Sequence, residues 1–415
     1  MGCRRRGRVI DRLLNAENDA GRRSAPALLL TALIVSFIVY GSLYPFRFHS
    51  WPDGLSLADA VRTAYTQPIG GRGDLVANLA LYVPLGVALT MAFASRIRPM
   101  PTLFCGLLGC ALLSSLMEFL QLHIPSRFAS GWDLLLNTAG GGLGAVGASV
   151  LVHGRIPVGA GWRLRPADAF ALLLLACWLG YRLCPFVPTL DLGEWRASVR
   201  PLLQSGMIEL WRALRLAILW LLAARLFETT WPGRFVLPLL GAVMLGTLLA
   251  AVPIQGRVLT PAEVLAVGLA MPTWLLLRRF RLADSALLLL LLATVVTEGA
   301  APFRFAEVVQ PFGWIPFRSI IRGSWEAGLQ AMLLKFYLYG SVLWLAVRLS
   351  GRFVLMAALV VGLALGISLM QTRLLARSAE ITDGLLALSA ALILCAMRPN
   401  SPTSAPSSCP GLRST

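Results

Sequence analysis

Long apolar runs alternate with short polar loops along almost the whole chain. A run of about 20 apolar residues is long enough to cross a bilayer. Backbone groups inside the bilayer must bond to one another, which selects helices. Twelve stretches qualify, at about 25–44, 75–95, 102–122, 132–152, 167–184, 208–228, 234–253, 261–278, 283–300, 328–349, 352–371 and 382–397. The sixth contains Arg212, Arg215 and Arg225, whose charges must snorkel out or face the bundle, and the tenth contains Lys335. Between the first two runs, residues 52–65 mix apolar positions with Asp59 and Arg62, the pattern of a helix lying on the membrane interface.

Composition agrees with this pattern. Of 415 residues 57% are hydrophobic and 14% are charged, against about a quarter charged in soluble domains. The formal charge of +17 falls mainly in the N-terminal arm and in the loops on one side of the twelve runs. That asymmetry places the N-terminus in the cytoplasm. It accounts for the charge as topology, and no basic domain remains to bind nucleic acid. The seven cysteines form no CxxC pair, and His49, His123 and His153 are scattered, so no metal or other cofactor is expected.

An order recurs in the loops. Tyr44-Pro45-Phe46, Cys184-Pro185-Phe186 and Ala301-Pro302-Phe303 each open a long loop. Three short loops each carry an arginine six residues before an acid: Arg127 and Asp133, Arg257 and Glu263, Arg377 and Asp383. Gln121 and Gln371 precede two of these arginines by six residues, and Ala251 occupies that place in the middle set. The same two motifs three times in one order indicate triplication. The expected fold is an all-α polytopic membrane protein of about 12 transmembrane helices in three tandem four-helix units. The units run 25–153, 166–281 (degenerate) and 282–398 (diverged). A basic cytoplasmic tail, 1–24, precedes them, and a disordered tail, 399–415, comes after.

The first unit has the most polar residues. Asp74 and Asn78 open its second run, Glu118 and Gln121 close the third, and Asp133 and Asn137 open the fourth. Glu118 and Gln121 share a helix face, as do the two i,i+4 pairs. With Arg127 they form a polar cluster that either binds a ligand or is structural. In the structural reading Arg127 and Asp133 clasp loop to helix, and the acids cap helices. Thr260-Pro261-Ala262-Glu263 reads as a capping box. The glycines of 140–147 read as a helix-packing face.

These residues resemble the VanZ-like membrane family, named for an accessory protein of teicoplanin resistance. The resemblance rests on Tyr44-Pro45-Phe46, on Asp74-x3-Asn78 leading to Tyr82-x-Pro84-x-Gly86, and on Glu118-x2-Gln121-x5-Arg127-x5-Asp133-x3-Asn137-x2-Gly140. It covers about 36–152. Phe312-Gly313-Trp314-Ile315-Pro316-Phe317 and Glu380-Ile381-Thr382-Asp383 extend a diverged match over about 283–397. The resemblance implies a multi-pass protein of the bacterial inner (cytoplasmic) membrane with a role in the cell envelope and in glycopeptide susceptibility.

Three functions compete. The first is binding of a membrane lipid, a lipid-linked cell-wall precursor or another anionic envelope component, with Arg127 on the anion and amides from Gln121 and Asn137. The second is an enzyme whose outer-face carboxylates act on a lipid-linked sugar or phosphate. No nucleophile, metal motif, HExxH, GxSxG or Walker loop is present, which ranks the enzyme lower. The third is a transporter, ranked last because four-run repeats share one orientation and are not inverted. These patterns leave open the oligomeric state and whether the units form one bundle or three.

Overall fold

The computed structural model describes residues 27–397, apart from 51–53, 55, 67–70, 94–98, 126, 128, 154–165, 205–208, 232, 234, 302, 320–323 and 376. The expected tails, 1–24 and 399–415, lie outside the described residues. The structure is all-helical, and each of the twelve apolar stretches contains a helix. These are α1 (Ala27–Leu43), α3 (Arg72–Phe93), α4 (Pro99–Gln121), α5 (Gly131–His153), α6 (Pro166–Leu183), α8 (Leu210–Thr230), α9 (Val236–Ala251), α10 (Pro261–Leu277), α11 (Ala283–Ala300), α12 (Trp325–Ser350), α13 (Phe353–Met370) and α14 (Thr382–Met397). Shorter helices also lie in the long loops, among them α2 (Leu57–Thr66), in the expected interfacial segment, and α7 (Leu192–Leu203), which the apolar pattern did not reveal.

Among the described residues five segments are long and apolar enough to cross a membrane: Gly73–Phe93, Met100–Gln121, Ala283–Ala300, Glu326–Ser350 and Phe353–Arg373. Ala27–Leu43, Ala169–Leu183, Val236–Ala251, Pro261–Leu277 and Thr382–Met397 are apolar helices of 10–17 residues. Their length and composition are those of a multi-pass membrane protein, though fewer helices meet the length of a full span than the twelve expected.

Among the described residues burial gives two main cores and a small third cluster of Leu248, Ala251 and Leu259. One core, continuous from α6 to α14, has Trp178 at its centre, stacked on Tyr337 at 5.2 Å and set edge-on to Trp220 at 5.2 Å. The N-terminal helices keep a smaller core of their own around Ile38, Tyr82, Leu85, Cys110 and Met117. Segments 166–281 and 282–398 therefore share one interior. The α8 arginines find partners across it. Arg225 forms a fork to Asp284 (2.6 and 2.9 Å), and Arg215 bonds Glu298 at 2.5 Å. Of the two readings of these arginines, facing the bundle describes Arg215 and Arg225, while Arg212 is 41% exposed.

In the N-terminal part, α3 packs most closely on α5. Glycines make this possible. A Cβ on Gly86 would run into the Gly141 carbonyl, one on Gly140 into the Leu79 carbonyl, and one on Gly144 into the Val83 carbonyl. The glycine face is a packing face, as its composition suggested. Gly86→Ala is expected to force α3 and α5 apart and to cost about 1–3 kcal/mol, a usual figure for overpacking. Gly147→Ala, with open space around it, should leave the thermal midpoint of the detergent-solubilised protein unchanged.

Candidate functional site

The recurring motifs meet at one end of the helices, and their backbones repeat in detail. Phe46, Phe186 and Phe303 all sit in the left-handed region (φ 60°, 62° and 60°). Each donates its N–H three residues back, to Leu43, Leu183 and Ala300. Aromatic residues rarely adopt this conformation, so the surrounding bonds must impose it. The fourth residue after each proline then ties the loop to the short hairpin. His49 N–H donates to the His123 carbonyl at 2.8 Å, Thr189 to Pro253 at 2.7 Å and Ala306 to Arg373 at 2.9 Å.

The hairpin side chains reach back to the helix that precedes the loop. In the first set, Arg127 donates through Nε to the Tyr44 carbonyl (3.3 Å) and through NH2 to the Gly41 carbonyl (2.8 Å). Gln121 donates to the Ser42 carbonyl at 3.2 Å. In the last set, Arg377 donates to the Ala301 and Glu298 carbonyls at 2.6 and 2.7 Å, and Gln371 to Gly299 at 3.1 Å. Relative to the loop proline these acceptors occupy the same three positions in both sets. The expected Arg127–Asp133 clasp does not form, because the guanidinium is spent on the carbonyls that end α1. Arg377 likewise leaves Asp383 to others. Amide donors from Gln121 and Asn137 do not converge on one group with Arg127, since each serves a different protein acceptor.

The middle set departs from this pattern. Its counterpart carbonyl, on Cys184, accepts from Gln330 of α12 at 3.0 Å. Arg257 Nε has no hydrogen-bond partner among the described residues, and its NH2 lies 4.0 Å from Glu263. Burial lowers the pKa of both Arg127 and Arg257 from the ordinary arginine value, and in Arg257 the nearby Arg182 lowers it further.

The three hairpin acids differ in how they are answered. Glu263 takes Arg182 at 3.0 Å, with Arg212 at 3.8 Å. The expected capping box is not made: the Thr260 side chain forms no cap bond and Glu263 turns to arginine instead. Asp383 accepts from Lys335 at 2.5 Å and from Tyr339 at 2.9 Å. Asp133 has no ion-pair partner among the described residues, and its charged neighbours are Asp74 and Glu118.

Around Asp133 the first set makes a connected acidic site. Glu118 accepts the Ser130 N–H at 2.8 Å, the bond an acid inside α5 would make in a capping box. Asp74 accepts the Gly71 N–H at 3.2 Å. Beneath them Asn137, 6% exposed, donates to Ser114 at 3.0 Å, and its Oδ1 has no partner among the described residues. The fully buried Tyr82 lies beside Ser114 and Glu118. Asn78, on the same α3 face as Asp74, is half-buried. Sequence reasoning missed Ser114, Lys335, Tyr339 and Arg182. Lys335 gave the clearest signal, as the only lysine of the chain set inside an apolar run. Within the described residues no group of three His, Cys, Asp or Glu side chains has the spacing to hold a metal ion.

The buried Asp383 should depend on Lys335. A double-mutant cycle of Lys335→Met and Asp383→Asn, read by thermal unfolding, is expected to give a coupling of about 1.5–3 kcal/mol, the range for hydrogen bonds to charged groups.

Comparison with known proteins bears on the first set. Neither the curated proteins nor the solved structures that were searched gave a match. Residues 18–152 match the family model described as VanZ/LLP1. The match spans α1 to α5 and takes in the acidic site and the Arg127 brace. Over residues 18–152 the chain is similar to the VanZ/LLP1 family.

Proposed function

We propose that the N-terminal unit holds the polar headgroup of a membrane lipid or lipid-linked cell-wall precursor, gripping it through ammonium or hydroxyl donors. The observation that carries this reading is the acid at the start of α5. Glu263 and Asp383 each have a cation from their own surroundings, whereas Asp133 faces Asp74 and Glu118. Uncompensated carboxylates at the ends of apolar helices are costly unless something pairs with them. Acceptors dominate the site, and Arg127 is already engaged, so electrostatics favour a donor-rich group over an anion there. This revises the anionic ligand that the sequence suggested for Arg127. The VanZ resemblance extends the reading to the bacterial cell envelope, with an effect on glycopeptide susceptibility through the headgroup that is bound.

We further infer twelve helices in three tandem four-helix units, entering from a cytoplasmic N-terminus. The support is the threefold recurrence of the left-handed Phe and of the loop-to-hairpin bond, together with the charge asymmetry of the loops.

Native mass spectrometry of the purified protein tests the binding reading. Wild type is expected to retain a lipid bearing an amine or sugar headgroup. Asp133→Asn and Glu118→Gln, checked for an unchanged melting profile, should lose most of it. A wild-type protein free of such lipid, or folded variants that keep it fully, would overturn the assignment.

A further inference from the structure

An open pocket of about 740 Å³ lies where the three parts of the chain meet. Gly73 at the start of α3 borders it, with Gln255 and Arg257 from the middle hairpin and Ser324, Glu326 and Gln330 from the start of α12. Among the described residues Arg257 is the cation that lines the pocket. Its counterparts Arg127 and Arg377 are each bound through two nitrogens to the carbonyls that end the preceding helix. Gln330 has taken the Cys184 carbonyl, and Arg257 Nε has no partner among the described residues. In place of a glutamine to bond the next carbonyl, the middle set has Ala251. The position that supplied that carbonyl is Arg182, which is 2% exposed.

The charge around Arg257 is not balanced. Arg182, Arg212 and Arg257 all approach the single Oε1 of Glu263, at 3.0, 3.8 and 4.0 Å. Arg182 Nε and Arg257 Nε are buried with no hydrogen-bond partner among the described residues. Glu326 is the other acid at the pocket, and Glu209, one turn before Arg212, is exposed and forms no ion pair among the described residues. Tyr181 and Cys184 are the remaining titratable neighbours of Arg257. Among the described residues the three guanidiniums outnumber the two acids Glu263 and Glu326, beside a concave surface with amide and hydroxyl donors. Arg257 lines this surface, and a planar guanidinium matches the geometry of a phosphate.

We propose that this pocket is an anion site for a phosphate or pyrophosphate group, held by Arg257 with Arg182 and Arg212 behind it. The group belongs either to a lipid headgroup or to a free phosphate compound. The site makes no use of the carboxylates around Asp133, so it stands or falls separately from the headgroup reading above.

Isothermal titration of the full chain in phosphatidylcholine nanodiscs tests it with two probes, inorganic pyrophosphate and dihexanoyl phosphatidic acid. Saturable binding of at least one is expected, weakening with added salt. Binding of both points to phosphate chemistry from either source, and binding of the lipid alone points to a membrane source. Arg257→Gln should weaken binding about tenfold or more, and Arg257→Lys, which keeps the charge and loses the fork, by a smaller factor. Arg196→Gln, an exposed substitution on α7, should bind as wild type. Absence of binding by wild type to both probes would overturn the proposal. So would unchanged binding by Arg257→Gln, or an equal loss in Arg196→Gln. If Arg257→Gln does not fold, Arg257→Lys decides: affinity equal to wild type for both probes would refute the fork.

Discussion

Every helix ends with four carbonyls that its own backbone does not satisfy. At the margin of a bilayer there is little water to take them, and leaving them bare is expensive. In this protein α1 and α11 meet that constraint with side chains from far along the chain. An arginine and a glutamine from a short hairpin bind three carbonyls at the helix end, and the loop backbone adds one bond more. The hairpin is thereby fixed to a helix end 83 residues earlier in the first set and 76 residues earlier in the last. The polar residues beside the hairpin inherit their positions from this brace, including Glu118, whose carboxylate closes the start of α5.

The three hairpins differ in whether the brace is kept. Where it is kept, the arginine is a structural donor and the chemistry passes to the acid six residues on. That acid is buried and neutralised by Lys335 in the last set, and left among other carboxylates in the first. Where Gln330 replaces the arginine at the carbonyl, the arginine turns toward a pocket and shares Glu263 with two others. One local exchange of hydrogen-bond partners thus converts a clamp into a surplus cation. The shared core of α6 to α14 explains why the exchange is possible, since α12 must lie against the end of α6 for Gln330 to reach Cys184.

Much of this architecture was legible in the residues. Apolar runs located every long helix, because burial in lipid leaves a continuous signature, and the Pro-Phe and Arg-x5-acid spacings identified the recurring hairpins. The partners were not legible. Arg127 and Arg377 bind carbonyls, and a carbonyl carries no residue identity, so the nearby acid was the natural but mistaken partner. The Thr260 capping box had the right residues, yet Glu263 had Arg182 within reach, and an ionic hydrogen bond outweighs a cap. Helix α7 has neither the length nor the apolarity of a span, and its only signal was local: Asp191 caps it, with Glu194 three residues on.

The hairpin arginine braces a helix end in the first and last sets and is released from that duty in the middle one. Thermal unfolding of Arg127→Gln, Arg377→Gln and Arg257→Gln, measured side by side in the same detergent, tests this most directly. The first two should each lose about 1.5–3 kcal/mol, the worth of charged hydrogen bonds to buried carbonyls, and Arg257→Gln should lose clearly less. Equal losses at all three positions, or full stability in Arg127→Gln, would contradict it.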